Sequence, residues 1–150
     1  MIPPLTVEFD VSASPQHAFD TWVQRSDLWW PADHTMSGAP AAIVFEPHAG
    51  GRIFERDAHG AELPWGEVVV WDPPNRIEYL WHLFFARAEA TRVAVTFTPN
   101  ALGTRVRLVQ TGWDALGDQG LIRREGTTKG WATVCEHYRR ILDASMEETR

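Results

Sequence analysis

The sequence predicts an α+β fold, in which a curved antiparallel sheet of about six to seven strands wraps a long C-terminal helix. One or two short helices follow the first strand. Three observations carry this. Between Ala41 and Trp113 the chain is a series of strand-like runs separated by turn signals rich in Pro, Gly and Asn. From Trp131 onward the apolar period changes to that of a helix. No second long helical pattern is present, so a meander has one economical packing: it curls and grips the helix. With few helices to fill the bend, its concave side leaves space.

The first strand is "LTVEFDV". Val7, Phe9 and Val11 alternate with Thr6, Glu8 and Asp10, the pattern of a half-buried strand. In "SPQHAFDTW", Ser14 is placed to cap a helix whose first position is Pro15, where a missing N–H costs nothing. Ala18, Phe19 and Trp22 then share one helical face. "SDLWWP" reads as a second short helix, capped by Ser26 and stopped by Pro31.

Strands follow. "AAIVFEP" and "RIFERD" flank the turn "HAGG". "LPWGEVVVWD" and "RIEYLWHLFF" flank "DPPN", where two prolines forbid helix and reverse the chain. "TRVAVTFTP" and "TRVRLVQTGW" flank "NALG". Val93, Val95 and Phe97 alternate with Arg92, Ala94 and Thr96, and Val106 and Leu108 with Arg105 and Arg107. One face is apolar and the other wet, as in a sheet covered on one side.

In the last third, Trp131, Val134, Cys135, Tyr138, Ile141 and Leu142 form a helical stripe opposite Lys129, Glu136, Arg139, Arg140 and Asp143. Leu121 and Ile122 are placed to extend that stripe. Gly126 and Gly130 weaken helix by about 1 kcal/mol each relative to Ala, so a kink or separate turn is expected near Gly126.

The 150 residues read as one domain, 1–150. Hydrophobic content is 44%, with eight tryptophans, which argues against disorder. Formal net charge is −6. An acidic chain lacks the dense basic face that phosphate backbones require, so nucleic acid is not an expected partner. Cys135 is the only cysteine, so no intrachain disulfide forms. The N-terminal stretch has no basic n-region and reads as the approach to a strand. No window approaches the roughly 18 apolar residues of a membrane helix. A cytoplasmic location is expected.

The segments "SPQHAFDTW", "WWP", "GGRIFERDAHGAELPWGEVVVWDPPNRIEYLW", "TRVAVTFTP", "GTRVRLVQTGW" and "GWATVCEHYRRIL", in this order, resemble the SRPBCC or START-like superfamily. Within it the chain is most similar to the family named for the activator of the heat-shock-protein ATPase, from about Thr6 to about Ser145. The resemblance implies a helix-grip fold with a hydrophobic cavity between sheet and helix. It carries over no catalytic motif. Superfamily members bind lipids, hormones or polyketides, catalyse cyclisation or dehydration, or assist a chaperone; the co-chaperones carry an additional domain not seen in this sequence.

Candidate site residues follow from facing. Ile77, Tyr79, Trp81 and Leu83 share one face of their strand, which matches the apolar faces of the next two strands and so points inward. Tyr79 and Trp81 then either line a pocket or pack the core. Trp65 and Trp71 share a face with Glu67 by count, and their strand is left unoriented because Val68 and Val70 are equally good core residues. Trp29, Trp30 and His34 form a segment that is either a lid or an anchored loop. If Ile53 faces inward, Glu55 does too, and its pKa rises unless it is paired; otherwise it belongs to a solvated edge with Arg52. Cys135 reads as a packing thiol, not a nucleophile. Cys135 and His137 lie two apart on a helix and cannot share one metal.

The cavity candidates are Trp30, His34, Glu55, Trp65, Tyr79, Trp81, Val95, Phe97, Leu108, Trp131, Cys135 and Tyr138. No catalytic residue, metal or cofactor is assigned. The favoured function is binding of a small hydrophobic or amphipathic molecule. A cyclase- or dehydratase-type enzyme using Glu55, His34 or Tyr79 is one alternative, and a chaperone-assisting module is another. A homodimer that covers the loop tryptophans is left open.

Overall fold

The computed structural model describes residues 1–148. Seven strands form one antiparallel sheet: β1 (Leu5–Val11), β2 (Ala42–Phe45), β3 (Arg52–Arg56), β4 (Glu62–Asp72), β5 (Arg76–Trp81), β6 (Thr91–Pro99) and β7 (Thr104–Thr111). Their order is β1-β7-β6-β5-β4-β3-β2, a six-strand meander closed by the first strand. Helices α1 (Pro15–Gln24) and α2 (Ser26–Trp29) lie between β1 and β2, and α3 (Gly120–Glu148) ends the fold. The curved sheet wraps α3, which is the helix-grip arrangement expected from the sequence.

Local chemistry explains most boundaries. Ser14 Oγ accepts from the His17 N–H at 3.2 Å, and Pro15 follows as the first helical residue. Ser26 does not cap α2 as expected. It is already inside the helix, and its hydroxyl donates to the Trp22 carbonyl at 2.6 Å. That bond couples α2 to α1 and buries Ser26 completely.

The facing of β6 and β7 is the one the alternation predicts. Val93, Val95, Phe97, Val106 and Leu108 are buried. The opposite face carries Arg105, whose guanidinium reaches Glu8 at 2.7 Å and Asp10 at 3.0 Å on the neighbouring strand. These exposed pairs fix register more than they stabilise, at about 0–1 kcal/mol each.

Strand β4 departs from simple counting. Its register shifts against β3 at Trp65, because Phe54 pairs with Pro64 and Ile53 with Gly66. It shifts again against β5 between Val68 and Val70. Each shift is a bulge that leaves one residue unmatched. Trp65 and Val68 therefore both face inward, and Trp71 packs edge-on against Phe19 at 5.2 Å. Glu67 lies opposite Leu80 on the outer face, so the face it shares with the two tryptophans by count is not real. Gly66 is required at this place: a Cβ there would collide with the Leu80 carbonyl oxygen.

Helix α3 runs from Gly120 to Glu148 without the break expected near Gly126. Trp131, Val134, Cys135, Tyr138 and Leu142 are its buried stripe. Leu121 and Ile122 do not extend that stripe, being 51% and 65% exposed. The discontinuity comes earlier, at Gly117 in the 3-10 turn Trp113–Gln119, where φ is 61°.

Candidate functional site

A cleft opens at one end of the helix–sheet interface, and its cause lies in α3. Of the apolar side chains in the turns before Trp131, only the exposed Ile122 borders the cleft. Gly126 and Gly130 stand one turn apart, and a Cβ on either would meet no atom within 4 Å. Both line an open cleft of about 830 Å³. The missing side chains make the space, and contacts outside the helix hold it there. Arg124 donates to the Pro3 and Pro4 carbonyls at 2.8 and 2.9 Å, and Arg123 donates to the Glu89 carbonyl at 2.7 Å.

The inner wall is aromatic. Trp30, Trp81 and Trp131 form a triangle with centroid separations of 5.7, 5.8 and 5.8 Å. Each position has a cause. Trp30 ends α2 and donates its Nε1–H to the His34 carbonyl at 3.0 Å. Trp81 is the last inward residue of β5. Trp131 donates its Nε1–H to Gln110 Oε1 at 2.7 Å, and Gln110 Nε2 donates to Thr91 Oγ1 at 2.7 Å. Gln110 is buried; it is the polar residue that continues the apolar alternation Val106, Leu108.

The rim is the β5–β6 connection. Phe84 and Phe85 are 55% and 44% exposed there. Phe84 has φ of 72°, a conformation costly for a bulky side chain. The loop is closed by the Phe85 N–H donating to the His82 carbonyl at 2.6 Å. The Arg123 guanidinium lies 3.6 Å above the Phe85 ring centroid.

Charge on the wall is unbalanced. Arg123 and Lys129 are its cations and Glu89 its only carboxylate among the described residues. The Glu89 carboxylate accepts the Ala86 N–H at 3.1 Å. Arg123 makes no ion pair within 4.0 Å among the described residues. Burial pulls its pKa below the ordinary value, against the pull of Glu89, yet a guanidinium stays charged at neutral pH. His34 Nε2 sits 3.8 Å from the Asp33 carboxylate at the Trp30 side of the cleft.

A family profile described as "Activator of Hsp90 ATPase homolog 1-like protein" matches residues 12–143. The chain belongs to this activator-homolog family. Its fold is shared with MLL2253 from Mesorhizobium loti (23% identity, TM-score 0.71, 95% of this chain and 98% of that one). SSP2350 from Staphylococcus saprophyticus is also similar (16% identity, TM-score 0.69, 94% and 92% covered). So is an anthrahydroquino-gamma-pyrone synthase, Txn09, in complex with SUM (28% identity, TM-score 0.64, 93% and 97% covered). No curated protein matches the chain significantly.

In this member of the activator-homolog family, four of the sequence candidates meet at the cleft: Trp30, His34, Trp81 and Trp131. The others lie behind that wall, in the packed interior. Val95, Phe97 and Leu108 are inner-face core residues. Trp65 and Tyr79 are fully buried, as is Tyr138, whose hydroxyl donates to the Ala18 carbonyl at 2.6 Å. Tyr79 Oη and Trp22 Nε1 are buried together, close enough for the indole N–H to act on the phenol but short of good hydrogen-bond geometry. Burial pushes the Cys135 thiol up to about 12, which removes the thiolate a nucleophile needs.

Glu55 faces inward as the alternation required, with no exposure. It is not the raised-pKa acid an unpaired buried carboxyl would be, nor part of a solvated edge. Its oxygens accept from the Ser37 hydroxyl (2.7 Å), the Met36 N–H (2.5 Å), Trp65 Nε1–H (2.8 Å) and the Ser37 N–H (3.1 Å). Burial pushes its pKa up, but these donors outweigh it and the carboxyl lies below its ordinary value of 4.5. Glu55 is a charged brace that ties the loop after His34 to the sheet.

Sequence reasoning missed Gln110, Arg123, the two rim phenylalanines and the space-making role of the glycines. Gln110 had a signal, a polar residue at an inward strand position. Arg123 had none, because its place depends on how α3 docks. Among the described residues no group of three or more His, Cys, Asp or Glu is arranged to hold a metal ion, and no helix is long and apolar enough to cross a membrane.

Proposed function

We propose that the protein is a cytoplasmic binder of a small hydrophobic or amphipathic molecule, held in the cleft between the β5–β6 rim and the N-terminal half of α3. One observation carries the reading: an open cleft of about 830 Å³ with an indole wall and a minority of polar groups. Ligand sites of roughly 300–1,000 Å³ with this balance are typical of drug-sized guests. Membership of the activator-homolog family supports it, since its members generally take hydrophobic ligands.

The test plugs the cleft without disturbing the fold. Gly130 is helical, and a Cβ there meets nothing, so Gly130→Leu fills the space while improving helix propensity by about 0.5–1 kcal/mol. A fluorescent apolar probe such as phenyl-naphthylamine is titrated into both proteins. Saturable, displaceable binding to wild type and its loss in a fully folded Gly130→Leu support the proposal. Absence of saturable binding to wild type sinks it.

A second reading is an enzyme of cyclase type. It is favoured by the likeness to the anthrahydroquino-gamma-pyrone synthase and by His34, paired with Asp33 on the cleft wall. There the imidazole would accept a proton from an enolisable guest. Turnover of an aromatic polyketide-type substrate that His34→Ala abolishes, with probe binding intact, would move the assignment from binder to catalyst.

A further inference from the structure

We infer that the guest is an apolar acid: a ring-bearing molecule whose anionic group docks on Arg123 while its body lies against the indole wall. This rests on the reading of the cleft as a ligand site and names the ligand class. The chain as a whole is acidic, with a formal net charge of −6. The cleft wall runs the other way, with two cations against one carboxylate among the described residues. The three groups are not equivalent. Glu89 is turned to the Ala86 N–H, where it closes the short turn Arg87–Glu89. Lys129 stands exposed on the helix. Arg123 is only half-exposed, with one Nη donating to a backbone carbonyl and its flat face over Phe85.

That arrangement leaves guanidinium N–H donors with no carboxylate at ion-pair distance, only the longer-range pull of Glu89, in a partly desolvated, aromatic-walled space. An isolated buried cation is unfavourable unless something compensates it. The remaining edge of a guanidinium offers a forked pair of donors that matches a carboxylate in two parallel hydrogen bonds. Stacking on Phe85 and the bond to Glu89 O fix the plane of the fork before any guest arrives, which lowers the entropy lost on binding. A neutral apolar guest would leave this cation compensated only in part, by Glu89, and a cationic guest would meet two like charges. Only an anion uses the whole wall.

Two probes of the same ring body test this: anilinonaphthalene sulfonate, whose sulfonate stands in for a carboxylate, and the neutral phenyl-naphthylamine. They are titrated into wild type, Arg123→Gln, Arg123→Lys and Gly130→Leu, with Arg140→Gln on the outer helix face as a charge control. The expected result is that wild type prefers the anion by about tenfold. Arg123→Gln should bring the two affinities together by weakening the anion alone, Arg123→Lys should restore part of the preference, and Arg140→Gln should change nothing. Rising salt should weaken the anion and not the neutral probe in wild type, a readout that needs no variant to fold.

The outcomes separate the two claims. If both probes bind wild type equally, with no salt dependence and no effect of Arg123→Gln, the acid inference is overturned and the cleft reading stands. If neither probe binds saturably, or if Gly130→Leu retains both, the cleft reading falls and this inference with it.

Discussion

The indole of Trp81 on the sheet stacks on that of Trp131 on α3, with centroids 5.8 Å apart and planes 29° from parallel. The pair is the seam between the packed interior and the open cleft. Behind it the gap is filled; Trp22 stacks on the far side of the network against Trp131 at 6.2 Å. In front of it the helix has glycines where side chains would be. Aromatic pairs of this kind add about 0.5–1.5 kcal/mol beyond area burial, so the seam has enough stiffness to serve as a wall.

Gln110 holds one half of that seam. Gln110→Leu keeps the volume and removes the acceptor for Trp131 Nε1–H and the donor to Thr91. Stability should fall by about 1–3 kcal/mol, the cost of stranding buried polar partners. Urea unfolding measures it, and tryptophan emission should shift because the Trp131 Nε1–H loses its acceptor, Gln110 Oε1. An unchanged midpoint and spectrum would show that the brace is dispensable.

Glu55 gives the fold a pH dependence of definite sign. Its folded pKa lies below the ordinary 4.5, so the charged form is the one the fold stabilises. That stabilisation is fully present above the unfolded pKa and is lost as pH falls through the lowered folded value. Glu55→Gln should therefore cost about 1.5–3 kcal/mol at neutral pH. The gap between variant and wild type should close as pH falls through that lowered folded value. A gap that widens toward acid would mean that the carboxyl is raised instead.

Cys135 should be silent in the native state. With the thiol pushed up to about 12 and the residue buried, iodoacetamide at pH 8 should label it only after unfolding, and the labelling rate should track the denaturant midpoint. Fast labelling of folded protein would place it at an accessible surface.

Phe84 sets rim geometry against backbone comfort. Phe84→Gly relieves a left-handed conformation but loosens the unfolded chain, so stability should rise by no more than about 1 kcal/mol. Probe affinity should fall, because an exposed ring at the mouth is lost. A stability gain together with unchanged affinity would mean that the ring takes no part in binding.

How much of this could be read from the residues alone depends on distance along the chain. Facing in β6 and β7 was legible because nothing interrupts the alternation from Val93 to Phe97 or at Val106 and Leu108. Helix α1 was legible from Ser14 and Pro15 because a cap is local chemistry. The inward turn of Glu55 followed from Ile53, two residues away. Its pKa did not, because the donors come from Met36, Ser37 and Trp65, brought in by the tertiary fold. Glu67 was miscounted because a bulge leaves no mark in composition. The cleft itself was hidden in Gly126 and Gly130, which local propensity reads as helix weakness; only the docked helix shows that they face empty space.

The two bulges in β4 have a further consequence for chain length. Trp65 and one residue at Val69 are supernumerary in the pairing, so the strand carries slack. Losing the extra residue near Val69 would straighten the ribbon while every neighbour kept its side. The same loss inside β6 or β7, whose registers run unbroken, would invert all that follows and turn the greasy face to water. Natural insertions and deletions should therefore gather in β4 and be purged from β6 and β7.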